Sequence, residues 1–140
     1  MNIDVNYLGV FLAAVASMII GFLWYSNLLF AKPWMKLMGY TKESMSKAQK
    51  EMGSMYAISF VVSLVTAYMM SHVMSLSEHY FGYPLLMTGL TTAFFMWLGF
   101  VMPVQLTDVL FGRKSRDLFY INTGYQLASL IGMGIVLAVI

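Results

Sequence analysis

The chain has no cysteine, which excludes disulfides, thiolate metal sites and a cysteine nucleophile. It is also short of charge. Asp, Glu, Lys and Arg make up 10% of its 140 residues, where a soluble domain carries about 25%. A surface that poor in charge faces something other than water, and lipid is the medium that fits. The net charge of +2 is too small to suggest nucleic acid, so no such partner is expected. The patterns of common enzyme sites are missing too. There is no glycine-rich phosphate loop, no His-Glu-x-x-His, no Gly-x-Ser-x-Gly and no pair of acids within one apolar run. An enzyme is not expected, and neither is a cofactor. Residues 1–6 hold no Lys or Arg, and the first apolar run is too long for a signal-peptide core, so it is expected to be mature structure.

What is present is hydrophobic, 60% of the residues, gathered into four uncharged windows at 5–31, 52–77, 79–107 and 118–140. Each exceeds the roughly 20 residues a spanning helix needs. Hydrocarbon offers no partner to backbone amides, so an apolar window crosses it as a helix. The expected fold is all-α: a four-helix transmembrane bundle forming one domain over 1–140, with spans near 7–30, 53–75, 84–107 and 118–139. All eight Lys and Arg lie in the connections 31–52 and 108–117, whereas Asp4 and Glu78 are the only charges at the opposite ends. The positive-inside rule then places both basic connections in the cytoplasm and both termini outside, N-out/C-out.

The edge of the first span carries the strongest interfacial pattern. Trp24, Tyr25 and Trp34 suit the headgroup level, and Lys32 and Lys36 can reach phosphates, as can Arg113 and Arg116 on the other connection. Membrane lipids are therefore expected partners. Thr41 is placed to cap a helix whose apolar positions Met45, Ala48, Met52 and Met55 recur at helical spacing, either running into the second span or bending at Gly53. Glu43 and Lys47 are spaced to pair on its surface. Small residues recur every four positions as Gly9, Ala13, Ser17 and Gly21, as Ser59, Ser63, Ala67 and Ser71, and as Gly124, Ala128 and Gly132. Such stripes let helices approach closely in lipid, within one chain or between copies, and a homo-oligomer is expected. Leu29-Phe30-Ala31-Lys32 and Leu110-Phe111-Gly112-Arg113 echo each other, compatible with two parallel helical hairpins.

Polar groups inside a bilayer are costly, so each needs a reason. Asn27, Gln105, Asp108, Asn122 and Gln126 come from three spans and share a depth near the basic connections. One reading is a small inward-facing pocket for an ion, a solute or a lipid headgroup. The other is that the amides bridge helices, with Asp108 a counter-charge for Arg113 or Arg116. His72 lies among Met69, Met70 and Met74, ligand types that suit Cu(I). Packing is the stronger reading of those methionines, and no metal site is expected. The function expected first is small-molecule, ion or lipid binding or transport. A structural or accessory membrane protein that organises lipid or a partner is the alternative.

These residues also carry a resemblance. Trp24-Tyr25-Ser26, Leu28-Leu29-Phe30, Lys32, Trp34 and Gly39 are followed by Trp97-Leu98-Gly99-Phe100-Val101, Pro103 and Leu110-Phe111. The last match is Ile121-Asn122-x-Gly124-Tyr125. With them the chain resembles, over nearly its whole length, an uncharacterised bacterial family of short four-span integral membrane proteins. Asn27 stands where that family usually has proline, and Ala31 where it often has glycine. The resemblance implies four helices and the bacterial inner membrane, and it brings no activity or site residues.

Overall fold

The computed structural model describes residues 3–140. Its five helices are α1 (Tyr7–Trp24), α2 (Ala31–Met38), α3 (Lys42–Phe81), α4 (Leu85–Phe111) and α5 (Arg116–Val139). All but α2 are long and apolar enough to cross a membrane, and the chain is a multi-pass membrane protein by that measure. The four pack in a ring in which α5 touches α1 and α4, and α3 touches the same two from the other side. Lysine and arginine all fall at one end, called here the basic end.

Local chemistry sets the helix ends. Asn6 Oδ1 accepts from Gly9 N–H at 3.0 Å and starts α1. At the other end the Ser26 hydroxyl donates to the Leu23 carbonyl at 2.7 Å. The Ser26 N–H turns to the same carbonyl and the Phe30 N–H to the Trp24 carbonyl, so the helical ladder ends and α1 stops at Trp24, six residues before the expected edge of the span. Thr41 caps α3 in a capping box with Ser44. From there α3 runs 40 residues without a break at Gly53, joining the expected cytoplasmic helix and the second span into one rod. At 1.5 Å per residue that is about 60 Å, twice the roughly 30 Å of hydrocarbon. The Glu43–Lys47 pair is not formed; among the described residues one ion pair is found, Lys114 with Asp108. Gly39 and Gly82 end α2 and α3 with φ of +71° and +66°, the left-handed conformation glycine adopts without strain.

A π turn, Trp97–Val101, interrupts α4. Met102 N–H reaches back five residues to the Trp97 carbonyl, and Pro103 has no amide proton for the turn before it. The extra residue turns everything after it by about 100°, which sets the face on which Gln105 lies.

The small-residue stripes are used within the single chain. Ala13, Ala67 and Ala93 are fully buried together with Met70, Met74, Leu130 and Met133. Ser17 and Ser129 share a hydrogen bond of 2.6 Å between α1 and α5. The closest approach is α4 on α5: a Cβ added at Gly134 would lie 2.5 Å from the Gly89 carbonyl oxygen. This core belongs to the half of the bundle away from the basic end. There a cavity of about 310 Å³ lies between α3 and α4, with Thr92 in its wall. The Thr92 hydroxyl is buried without a partner. Thr92→Val keeps the shape and removes the orphaned group, so it is expected to raise stability by about 1 kcal/mol in thermal unfolding. A lower Tm instead would reveal an acceptor held in that cavity.

Candidate functional site

Burial along α3 defines the site. Ser63, Ala67, Met70 and Met74 are its buried residues, and none from Lys42 to Val62 is buried. The helix is therefore packed into the bundle over its far half only. Nearer the basic end it leans on α1 through the Phe22 and Tyr56 rings, 4.9 Å apart. What remains between α1, α3 and α5 is a cleft. Its outer part, about 250 Å³, is lined by Met18, Gly21, Phe22, Tyr25, Tyr56, Ser59 and Tyr125. A deeper part of about 230 Å³ shares Ser59 and Tyr125 with it and adds Ser17, Ser63, Thr66, Gln126 and Ser129. Six hydroxyls and an amide at that depth are unusual company for a spanning bundle, where polar groups are costly. The Ser17–Ser129 pair forms its floor.

A second, smaller cavity of about 160 Å³ sits behind the first, at the basic ends of α4 and α5. Met38, Gln105, Asp108, Val109, Lys114, Leu118, Phe119 and Asn122 surround it. Tyr25 lies between the two spaces: its ring lines the cleft, and its hydroxyl donates to Asn122 Oδ1 at 2.8 Å.

The expected polar cluster is thus divided. Gln105, Asp108 and Asn122 come together on the small cavity. Gln126 lies in the cleft instead. Asn27 joins neither, being exposed in the turn after α1. Asp108 is paired with Lys114 at 2.6 Å rather than with Arg113 or Arg116. The aromatic edge is rearranged as well. Trp24 and Tyr25 do not point their polar atoms outward: Trp24 Nε1 donates to the Ile121 carbonyl at 2.9 Å, and Tyr25 bonds Asn122. Trp97 does the same from the other side, its indole N–H reaching the Thr123 carbonyl and hydroxyl at 2.9 and 3.1 Å. Two tryptophans from α1 and α4 so clamp the basic half of α5. Trp97→Phe removes this donor and is expected to destabilise by about 1 kcal/mol in reversible unfolding. Trp34 packs on Tyr25 and Tyr40, while Lys32, Lys36, Arg113 and Arg116 are exposed. His72 Nδ1 donates to the Tyr68 carbonyl, whereas Met70 and Met74 point into the core, so these side chains do not converge.

Sequence reasoning overlooked Ser129 and treated Ser17, Ser59 and Ser63 as packing residues alone. Their hydroxyls were the available signal, since alanine would have packed as well.

Residues 8–138 match the model of a family described as "Protein of unknown function (DUF1761)". The match spans nearly the whole chain, and the chain belongs to that family. No curated protein and no solved structure matches it.

Proposed function

We propose that this member of the family is a small binding or transport protein of the bacterial inner membrane, with the basic end in the cytoplasm. Its α1–α3–α5 cleft would admit an uncharged polar solute or a lipid headgroup from that side. The observation that carries this reading is the packing of α3, buried from Ser63 outward and unburied before it. A bundle built only for packing would bury small serines against neighbours, as Ser63 and Ser129 are buried, along the whole length of the helix. Here Ser59 remains exposed over a hydroxyl-lined space. The Ser17–Ser129 floor closes the far side of the cleft, so the geometry fits one side of an alternating-access cycle. Native mass spectrometry in a mild detergent tests it. A reproducible bound mass on the wild type, lost in Gln126→Leu, supports the reading, and a bound mass unaffected by Gln126→Leu contradicts it.

One observation favours the accessory reading. The basic half of α3 extends past the span with Lys42, Lys47 and Lys50 exposed, and Lys32 and Lys36 are exposed on α2. On this reading the protein gathers anionic lipid, each cation near the surface contributing about 1 kcal/mol. Neutralising these five lysines would then abolish enrichment of anionic lipid around the protein, while Gln126→Leu would leave it intact.

A further inference from the structure

The small cavity at the basic ends of α4 and α5 holds one buried acceptor without a donor, beside a solvent-open ion pair. Gln105 Oε1 is buried there with no donor. Asn122 Oδ1 already accepts from Tyr25. Asp108 supplies a carboxylate to the wall, and an ionised carboxylate only accepts. The one cation at the site is Lys114, whose Nζ lies 2.6 Å from Asp108 Oδ2.

Lys114 is delivered to that position by the turn after α4. Gly112 N–H donates to the Asp108 carbonyl and Lys114 N–H to the Val109 carbonyl, while Arg113 takes a left-handed φ of +51°. The chain thereby doubles back over the last turn of α4. The resulting ion pair is open to solvent, its side chains 47% and 62% exposed. Such pairs contribute between about 0 and 1 kcal/mol, so another cation can displace Lys114 at little cost.

The rest of the cavity selects among occupants. Asp108 repels an anion. A water molecule satisfies Gln105 but has no charge with which to compete for Asp108. A divalent metal lacks ligands, because among the described residues no three His, Cys, Asp or Glu side chains gather. A primary ammonium has three donors and no acceptor, which complements Gln105 Oε1 and Asp108 together. Val109, Leu118, Phe119 and Met38 give its carbon an apolar wall. The volume of about 160 Å³ equals that of about five waters at about 30 Å³ each, enough for a small headgroup.

We infer that this cavity binds a primary ammonium group, and that Lys114 is a tethered stand-in that occupies Asp108 until the ligand arrives. The ammonium belongs either to a soluble alkylamine or to the headgroup of an ethanolamine phospholipid. This site is separate from the cleft and does not depend on what the cleft carries.

Radiolabelled methylammonium binding by the full-length protein, in nanodiscs of phosphatidylcholine, tests the inference. Saturable binding is expected. Gln105→Leu and Asp108→Asn should each weaken it about tenfold or more, the scale of one charge-assisted hydrogen bond. Lys114→Ala should tighten it by up to about fivefold, because an internal competitor worth at most about 1 kcal/mol is gone. Gln126→Leu, in the cleft, should leave it unchanged. A second arm places the protein in mixed phosphatidylethanolamine and phosphatidylcholine vesicles and reads co-purified lipid by native mass spectrometry. Enrichment of the ethanolamine lipid, lost in Asp108→Asn, identifies the lipid as the source; methylammonium binding without enrichment identifies a soluble amine. The inference is overturned if neither probe binds, if Lys114→Ala weakens binding, or if Gln126→Leu abolishes it.

Discussion

Gly89→Val is expected to prevent the four-helix bundle from forming. At Gly89 an added Cβ runs into the carbonyl oxygen of Gly134, and the reverse substitution meets the Gly89 carbonyl 2.5 Å away. These are backbone atoms, so no rotamer change relieves the clash. The two helices must move apart, and α5 cannot leave α4 without loosening its contacts with α1, since it packs on both. Helices in lipid have no hydrophobic force holding them together once close packing is lost. The loss is placed above the 1–3 kcal/mol usual for overpacking a core. It would be read as a fall in folded yield and in the temperature of aggregation in detergent. Gly53→Val, on an exposed turn of α3 with open space around it, is the matched control and should leave both within the wild-type range.

The floor of the cleft carries the second large effect. Ser129 is 4% exposed and Ser17 2%, and their hydroxyls bond each other at 2.6 Å. Ser129→Leu adds a net two heavy atoms to a closed contact and leaves the Ser17 hydroxyl without its partner. Overpacking costs about 1–3 kcal/mol and an orphaned buried hydroxyl about 1–3 kcal/mol. A destabilisation of about 3 kcal/mol is expected. Ser129→Ala leaves the Ser17 hydroxyl equally without its partner but adds no bulk, so only that part of the loss, about 1 kcal/mol, is expected. Equilibrium unfolding of the two variants in detergent checks the difference. Equal effects would mean that the contact has room for a larger side chain, and that the cleft has no floor there.

Much of this architecture is legible in the sequence, because the membrane constrains it. Four uncharged windows can only be four helices in hydrocarbon, and Thr41 announces its helix with a side chain built to cap it. Other features depended on competition that spacing does not show. The end of α1 is a turn in which Ser26 N–H and hydroxyl both bond the Leu23 carbonyl and Phe30 N–H bonds the Trp24 carbonyl. Gly53 does not break α3, because an exposed helical glycine costs only about 1 kcal/mol against an uninterrupted hydrogen-bond ladder.

The candidate site was harder to read. Asn122 and Gln126 are one turn apart on α5 but diverge by about 40°, and the Tyr25 side chain enters between their two spaces. Gln105 takes its direction from a π turn that no local pattern required. Trp24 looks like an interfacial anchor by its neighbours in sequence, yet a backbone carbonyl 97 residues away claims its N–H. That pairing is tertiary. Asp108 had three cations within eight residues, and the left-handed Arg113 decided for Lys114.

The most direct measurement is thiol accessibility, for which the cysteine-free chain is a ready background. Gln126→Cys and Ser59→Cys would be probed with a membrane-impermeant maleimide applied to each face of sealed vesicles. Ile135→Cys, on the exposed face of α5, serves as the lipid-facing control. Maleimide reacts with the thiolate, which forms only where water reaches. The account expects Gln126→Cys and Ser59→Cys to label from the face bearing the basic connections and not from the other, with Ile135→Cys unlabelled from both. A Gln126→Cys thiol that stays unreactive from the basic face, or labels from the opposite one, would contradict a cleft open at the basic end.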